Sequence, residues 1–267
     1  MATGHLYIDL LASAADAKPA GSLEARMSNF LEGDNSTESL DGAAFDQING
    51  SETKADYLLG GRRMIAELKT LNASPLDRTE QRLKERFAKP DAPIVFGSVG
   101  VSQVIDGLPD REALAKMMID MAGRAVRRHL QKANEQIGAM KVRLKLPDAG
   151  GLVILMNETE PMIDISAIGY TLKTAFGTVD GAYPHITNVW AIVESHRIAM
   201  PGGRKGLPHL HVFKSLERQA ELDFIGRMLG AWGHHVGSRM ERLEHRGDWS
   251  VMRPIYDDAP PTLEPFN

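Results

Sequence analysis

Hydrophobic and polar positions along the chain recur with two periods, one helical and one of two residues, and their succession predicts an α/β fold. In GSLEARMSNFLEG (21–33), Leu23, Met27, Phe30 and Leu31 fall at helical spacing behind a Ser22 N-cap and ahead of Gly33, which predicts a helix. After a polar stretch (34–53), KADYLLGGRRMIAELKTL (54–71) reads as two short apolar runs joined at Gly60 and Gly61, a β-hairpin. Residues 75–110 combine prolines, glycines and the charged DRTEQRLKERF, which predicts a short helix inside an insertion. From about Pro109 to Leu144 the pattern is helical and long. GGLVILMNE (150–158) and ITNVWAIVES (186–195) are continuous apolar runs, as expected of strands buried on both faces, with a helix near 164–176 between them. A Gly- and Pro-rich turn (201–208), a short strand at HLHVF, a helix near 215–233 and an irregular end after about residue 247 complete the pattern. No repeat of solenoid or propeller length occurs.

Composition narrows the chemistry. The 267 residues are 43% hydrophobic and 25% charged, ordinary for a globular chain, and contain no cysteine. Disulfides, thiolate catalysis and Cys-ligated zinc or iron–sulfur sites are therefore excluded, which fits a reducing cytoplasm. The N-terminal stretch lacks a basic region followed by a long apolar run, and no run is long enough to span a bilayer. A cytoplasmic protein without membrane association is expected. The net charge of -4 argues against whole-surface attraction to nucleic acid but leaves room for a local basic stripe.

The hairpin places charges where a buried strand should not want them. Along MIAELKTL, Ile65, Glu67, Lys69 and Leu71 share one face, and Met64, Ala66, Leu68 and Thr70 the other. With a Gly60-Gly61 turn, Asp56 lies opposite Ile65, a diagonal neighbour of Glu67 at roughly 7–8 Å. With a GGRR loop, Asp56 pairs with Glu67 directly, whereas a three-residue loop sends it to the opposite face. Either even-numbered loop gathers two carboxylates and an ammonium, a constellation suited to phosphodiester hydrolysis. Paired carboxylates can hold Mg²⁺ (or Mn²⁺), which lowers the pKa of a bound water, and Lys69 can orient that water or stabilise the transition state. The bland alternative is a salt-bridged, catalytically silent strand.

These residues resemble the PD-(D/E)XK, or restriction-endonuclease-like, nuclease superfamily: a helix, a hairpin carrying Asp56 and Glu67-Leu68-Lys69, a long helix, a buried strand and another helix. The Pro-Asp that leads the family's motif is represented only by Asp56 after Ala55. The resemblance, which covers roughly residues 20–195, implies a central mixed β-sheet flanked by helices with an αβββαβ core, in a domain of residues 1–200 with an insertion at about 75–110; the C-terminal extension (201–267), which it leaves unexplained, is expected to pack on the same domain. It further implies divalent-metal catalysis on nucleic acid, DNA ahead of RNA, in defence or repair, and a homodimer. Asp56 and Glu67 then match the metal ligands, Glu24 an acidic residue donated by the first helix, and Gln136 a glutamine of the following helix.

Between residues 124 and 145 the chain carries Arg124, Arg127, Arg128, Lys132, Lys141, Arg143 and Lys145 against the single acid Glu135. Such a local excess can contact phosphates, and Arg124, Arg127, Arg128 and Lys132 are the candidate nucleic-acid ligands; the alternative is a solvated helix face. The histidines offer a rival His-metal hydrolase. His209 and His211 share a strand face, while the adjacent His234 and His235 point about 100° apart on a helix, and packing roles are the expectation. No G-x-S-x-G, G-x-G-x-x-G or G-x-x-x-x-G-K-[ST] motif occurs. A nuclease-fold binding module without catalysis is the remaining alternative.

Overall fold

The predicted first helix forms where the sequence offers a cap. In the computed structural model, which describes residues 6–14, 20–42, 45, 53–72, 85, 99–100, 111–177, 182–244, 252–255 and 262–263, Ser22 Oγ accepts from the Ala25 N–H at 3.2 Å and opens α1 (Leu23–Glu32). Most of the 75–110 insertion and of the chain after residue 247 lies outside the described residues. In chain order the strands are β1 (Tyr7–Ser13), β2 (Glu38–Ser39), β3 (Tyr57–Leu59), β4 (Met64–Thr70), β5 (Val99–Gly100), β6 (Gly150–Asn157), β7 (Asn188–Val193), β8 (Ile198–Ala199), β9 (Lys205–Phe213), β10 (Met240–Leu243) and β11 (Thr262–Leu263). The further helices are α2 (Arg111–Arg143), α3 (Ile165–Gly177) and α4 (Gln219–His235).

Nine strands form one mixed sheet in the order β10-β1-β9-β7-β6-β4-β3-β2, with β8 alongside β9, while β5 and β11 pair separately. Strands β4, β6 and β7 are parallel, joined by the crossover helices α2 and α3; the other pairings are antiparallel. The chain is thus α/β, and α1-β2-β3-β4-α2-β6 runs in the order αβββαβ.

Helices cover both faces, which explains why β6 and β7 are buried throughout and apolar but for Asn157 and Asn188. On one face Ile65, Val153, Leu155, Val189 and Ala191 pack against Val126, Leu130, Ala133 and Ile137 of α2 and Ile168 and Leu172 of α3. On the other, Met64, Ala66, Leu152, Ile154 and Trp190 meet Leu23, Met27 and Leu31 of α1 and Ile225, Leu229 and Trp232 of α4. Two polar contacts fix α1 over the carboxyl ends of the central strands. Glu158 Oε2 accepts from the Leu23 N–H at 3.0 Å, and the buried Glu194 carboxylate takes a bidentate pair from Arg26 at 3.0 and 2.5 Å.

Strands β1, β2, β8 and β10 of the main sheet, and the length of β9, exceed the sequence expectation. The apolar pattern of the N-terminal strand β1 is interrupted by Asp9. The short strand at HLHVF extends back to Lys205, through Pro208 and the turn expected there. Pro208 lies where β9 passes from its β7 partner to β8, a place in a sheet where a residue without an N–H is tolerated. As a result, part of 201–267 lies within the sheet, between β7 and β1.

Close packing at the start of β6 is testable. A Cβ at Gly151 would stand 2.0 Å from the His185 carbonyl oxygen, a backbone atom that cannot swing aside, whereas one at Gly177 meets nothing within 4 Å. Gly151→Ala is expected to lower the urea midpoint by the equivalent of about 2–3 kcal/mol with an unchanged m-value, and Gly177→Ala to leave it within about 0.5 kcal/mol.

Candidate active site

The register of the β3–β4 hairpin decides the geometry. Tyr57 pairs with Ala66, Leu58 with Ile65 and Leu59 with Met64, so the connection is the GGRR loop. Gly60, Gly61 and Arg62 all adopt positive φ (61°, 64° and 68°), a turn that two glycines make affordable. The Arg62 guanidinium is held by Glu38 of β2 through two 2.8 Å hydrogen bonds. One step beyond the last pair, the Asp56 N–H donates to the Ala66 carbonyl at 3.1 Å, which carries the ladder on and sets Asp56 against Glu67. Asp56 Oδ2 accepts from the Leu68 N–H at 2.7 Å.

Glu67 is 1% exposed and, with Ile65, faces the α2 side of the sheet. Lys69 Nζ donates to Glu67 Oε1 and to Gln136 Oε1, the latter at 3.0 Å, and Gln136 Nε2 donates to the Lys54 carbonyl at 2.6 Å. Gln136 therefore ties the crossover helix to the ammonium and to the strand approach that carries Asp56. The other carboxylate oxygen, Glu67 Oε2, is buried without a hydrogen-bond partner among the described residues. Burial, reinforced by the Asp56 charge and opposed by Lys69, pushes the Glu67 carboxyl up to about 7. Burial likewise raises Asp56, against the pull of the Leu68 N–H and Lys69.

Glu24 occupies the first turn of α1 on the opposite face, where its Oε2 accepts from Thr70 Oγ1 at 2.8 Å. It borders the site rather than joining Glu67, and with Asp41 it helps raise Asp56. On α2, Arg124, Arg128 and Lys132 are exposed, whereas Arg127 is half-buried and donates to the Asp120 carbonyl at 3.2 Å. Burial and that contact, rather than helical phase, set Arg127 apart from this flank. His129, which sequence reasoning passed over, is half-buried, and its pKa is lowered by burial and then by Arg128, Lys69 and Lys132. Its signal was its place seven residues before Gln136, on nearly the same helical face.

The histidines of the rival reading are dispersed among aromatic rings. His209 Nδ1 accepts from Trp190 Nε1 at 3.3 Å, His211 Nε2 lies 3.1 Å from Asn188 Oδ1, and burial drives their pKa values down to about 3 and about 4. His234 and His235 are exposed on α4, the latter stacked on Trp232. Among the described residues no group of three or more His, Asp or Glu side chains is arranged to hold a metal ion. Asp56 and Glu67 are a pair, the number from which Mg²⁺ is commonly held when waters and substrate oxygens complete its shell. The unpartnered Glu67 Oε2 is a hard oxygen of the kind such an ion takes, so the donor set fits.

Comparison with protein-family models, curated proteins and solved structures returned no match. Among the described residues no helix is long and apolar enough to cross a membrane.

The raised Glu67 carboxyl makes stability pH-dependent. Its folded value lies above the ordinary carboxylate value of 4.5, so the folded state binds the extra proton between about 4.5 and 7. Stability from this group is complete below about pH 4.5 and is lost as pH rises through about 7. Glu67→Gln, which stays neutral, is expected to be more stable than wild type at pH 8 by about 2 kcal/mol, with the gap closing by pH 4. Denaturant titrations at the two pH values measure it.

Proposed function

We propose that the protein is a divalent-metal-dependent nuclease that hydrolyses phosphodiester bonds, with DNA as its substrate, and that it is related to the PD-(D/E)XK nucleases. The observation that carries the reading is the buried, unpartnered Glu67 Oε2 beside Asp56 and the Lys69 ammonium. An isolated buried carboxylate costs several kcal/mol, and a cation offsets that cost. The αβββαβ order and the Gln136–Lys69 contact add support.

Asp56 and Glu67 are the residues that would hold Mg²⁺ or Mn²⁺. When bound, the ion activates water and neutralises charge on the scissile phosphate. Hydrolysis joins a water oxygen to phosphorus, breaks one ester P–O bond, and passes the water's protons to solvent and to the leaving sugar oxygen. Lys69 supplies a fixed positive charge for the oxygens on which negative charge accumulates. Its chain rises from the same strand face as Glu67, and Gln136 limits the directions its ammonium can take. A donor positioned in this way is worth roughly 10²–10³ in rate.

Two measurements test the proposal. Closed circular and linear DNA, single- and double-stranded, are incubated with Mg²⁺, Mn²⁺ or EDTA. Cutting is expected with either metal and not with EDTA, and Glu67→Ala and Lys69→Ala should each reduce it at least about 100-fold. In parallel, Mg²⁺ at pH 8 should raise the melting temperature of the wild type but not of Glu67→Gln. No cutting with either metal, together with no metal-induced stabilisation, would sink the nuclease reading.

A further inference from the structure

We propose that the exposed flank of α2 bearing Lys132, Arg128 and Arg124 is a rail for single-stranded DNA, holding successive phosphates of one strand on one side of the candidate active site. The proposal rests on the nuclease reading for where the strand is cut, and on the geometry of α2 for how it is bound.

The phase of the helix sets the line. Gln136 touches Lys69 at 3.0 Å. Stepping back along α2 in fours reaches Lys132, Arg128 and Arg124, each about 6 Å farther along the axis and turned about 40° toward solvent. The file begins beside the ammonium of the site and climbs away from it along one exposed edge. Arg127, about 60° around the helix from Arg124, is half-buried and does not continue the file, its guanidinium being turned to the Asp120 carbonyl.

The charge on this flank is free to meet a ligand. Among the described residues Arg124, Arg128 and Lys132 make no ion pair. Glu135, the acid on the same flank, accepts instead from Gln131 at 2.7 Å. Burial first, and then the charges of Arg128, Lys69 and Lys132, hold His129 toward its neutral form. The flank and the site therefore share a single positive field.

The opposite border of the site carries carboxylates. Glu24 and Asp41 are exposed there and both act on Asp56, Asp41 being ion-paired with Lys54, and Glu158 accepts from the Leu23 N–H at the start of α1. A second phosphate backbone laid across that border would meet carboxylates. One file of cations on one helix, faced by acids across the site, suits one strand rather than two.

The test is binding without catalysis. A dye-labelled oligothymidylate and a duplex of equal length are titrated in EDTA over a range of NaCl, with fluorescence anisotropy as the readout. The wild type should bind the single strand more tightly than the duplex. The triple variant Arg124→Ala/Arg128→Ala/Lys132→Ala should bind it at least about tenfold more weakly, with the slope of log affinity against log salt smaller by about 2, close to 0.7 for each of three phosphates. Arg124→Lys/Arg128→Lys should keep the wild-type slope. Arg227→Ala, on exposed α4, should change nothing, and circular dichroism verifies the fold of each variant.

An unchanged slope in the triple variant, tighter binding of duplex, or no binding by the wild type would each overturn the rail. Its failure is separable from that of the nuclease reading. Metal-dependent cutting with binding indifferent to the triple variant keeps the nuclease and removes the rail. Salt-dependent binding lost in the triple variant, with no cutting in any metal, keeps the rail and removes the nuclease.

Discussion

The candidate site depends on one carboxylate held on the core face of a central strand. Glu67 is nearly inaccessible, and its strand neighbour Ile65 packs in the core against α2. A carboxylate at such a place must be protonated, paired or ligated, because desolvating it alone is prohibitive. Two of these devices are visible around it. Its pKa rises to about 7, Lys69 pairs one oxygen, and the other is left open. Natural cores rarely keep a buried polar atom unsatisfied, and this open oxygen next to a second carboxylate is what the proposed metal site rests on.

The surrounding elements follow from holding that group. The GGRR loop fixes the register that brings Asp56 opposite it, and the Glu38–Arg62 pair ties that loop to the next strand. Helix α2 crosses from β4 to the parallel β6, which lays one helical face over Lys69 and puts Gln136 within hydrogen-bond reach. On the other side of the sheet α1 is fastened by Arg26–Glu194 and by Glu158 at its N-terminus, so Glu24 comes to the rim. The carboxyl ends of the parallel strands are where open α/β sheets present ligand crevices, and Lys69 and Thr70 sit at that end of β4.

Much of this was legible in the sequence where periodicity and capping agree. The first helix, the hairpin, the long crossover helix and the two apolar strands all lie where their patterns predicted them, and the even-numbered loop put Asp56 and Glu67 on one face. The choice between the two even loops was not legible, since local spacing allows both and pairing with β2 and packing under α2 decide. Strand β1 was missed because its pattern is interrupted by Asp9, which turns out to pair with Arg242 of β10, far along the chain. The basic run was visible as charge but not as direction. Only the packing of α2 separates Arg127 from Arg124, Arg128 and Lys132, and only that packing brings His129 toward Lys69.

Charge balance ties the site to its flank. With both carboxylates ionised, Asp56, Glu67 and Lys69 together carry one negative charge, and a phosphodiester, also negative, is repelled. Protonating Glu67 brings the group to neutrality without making it attractive. On the proposed nuclease reading, a divalent cation would reverse the sign and leave one positive charge to meet one negative phosphate, so that cation and scissile phosphate would favour each other's binding at this spot. The α2 flank needs no such help, because Arg124, Arg128 and Lys132 are positive at any physiological pH. On that reading, backbone attraction along α2 would precede metal loading at the site.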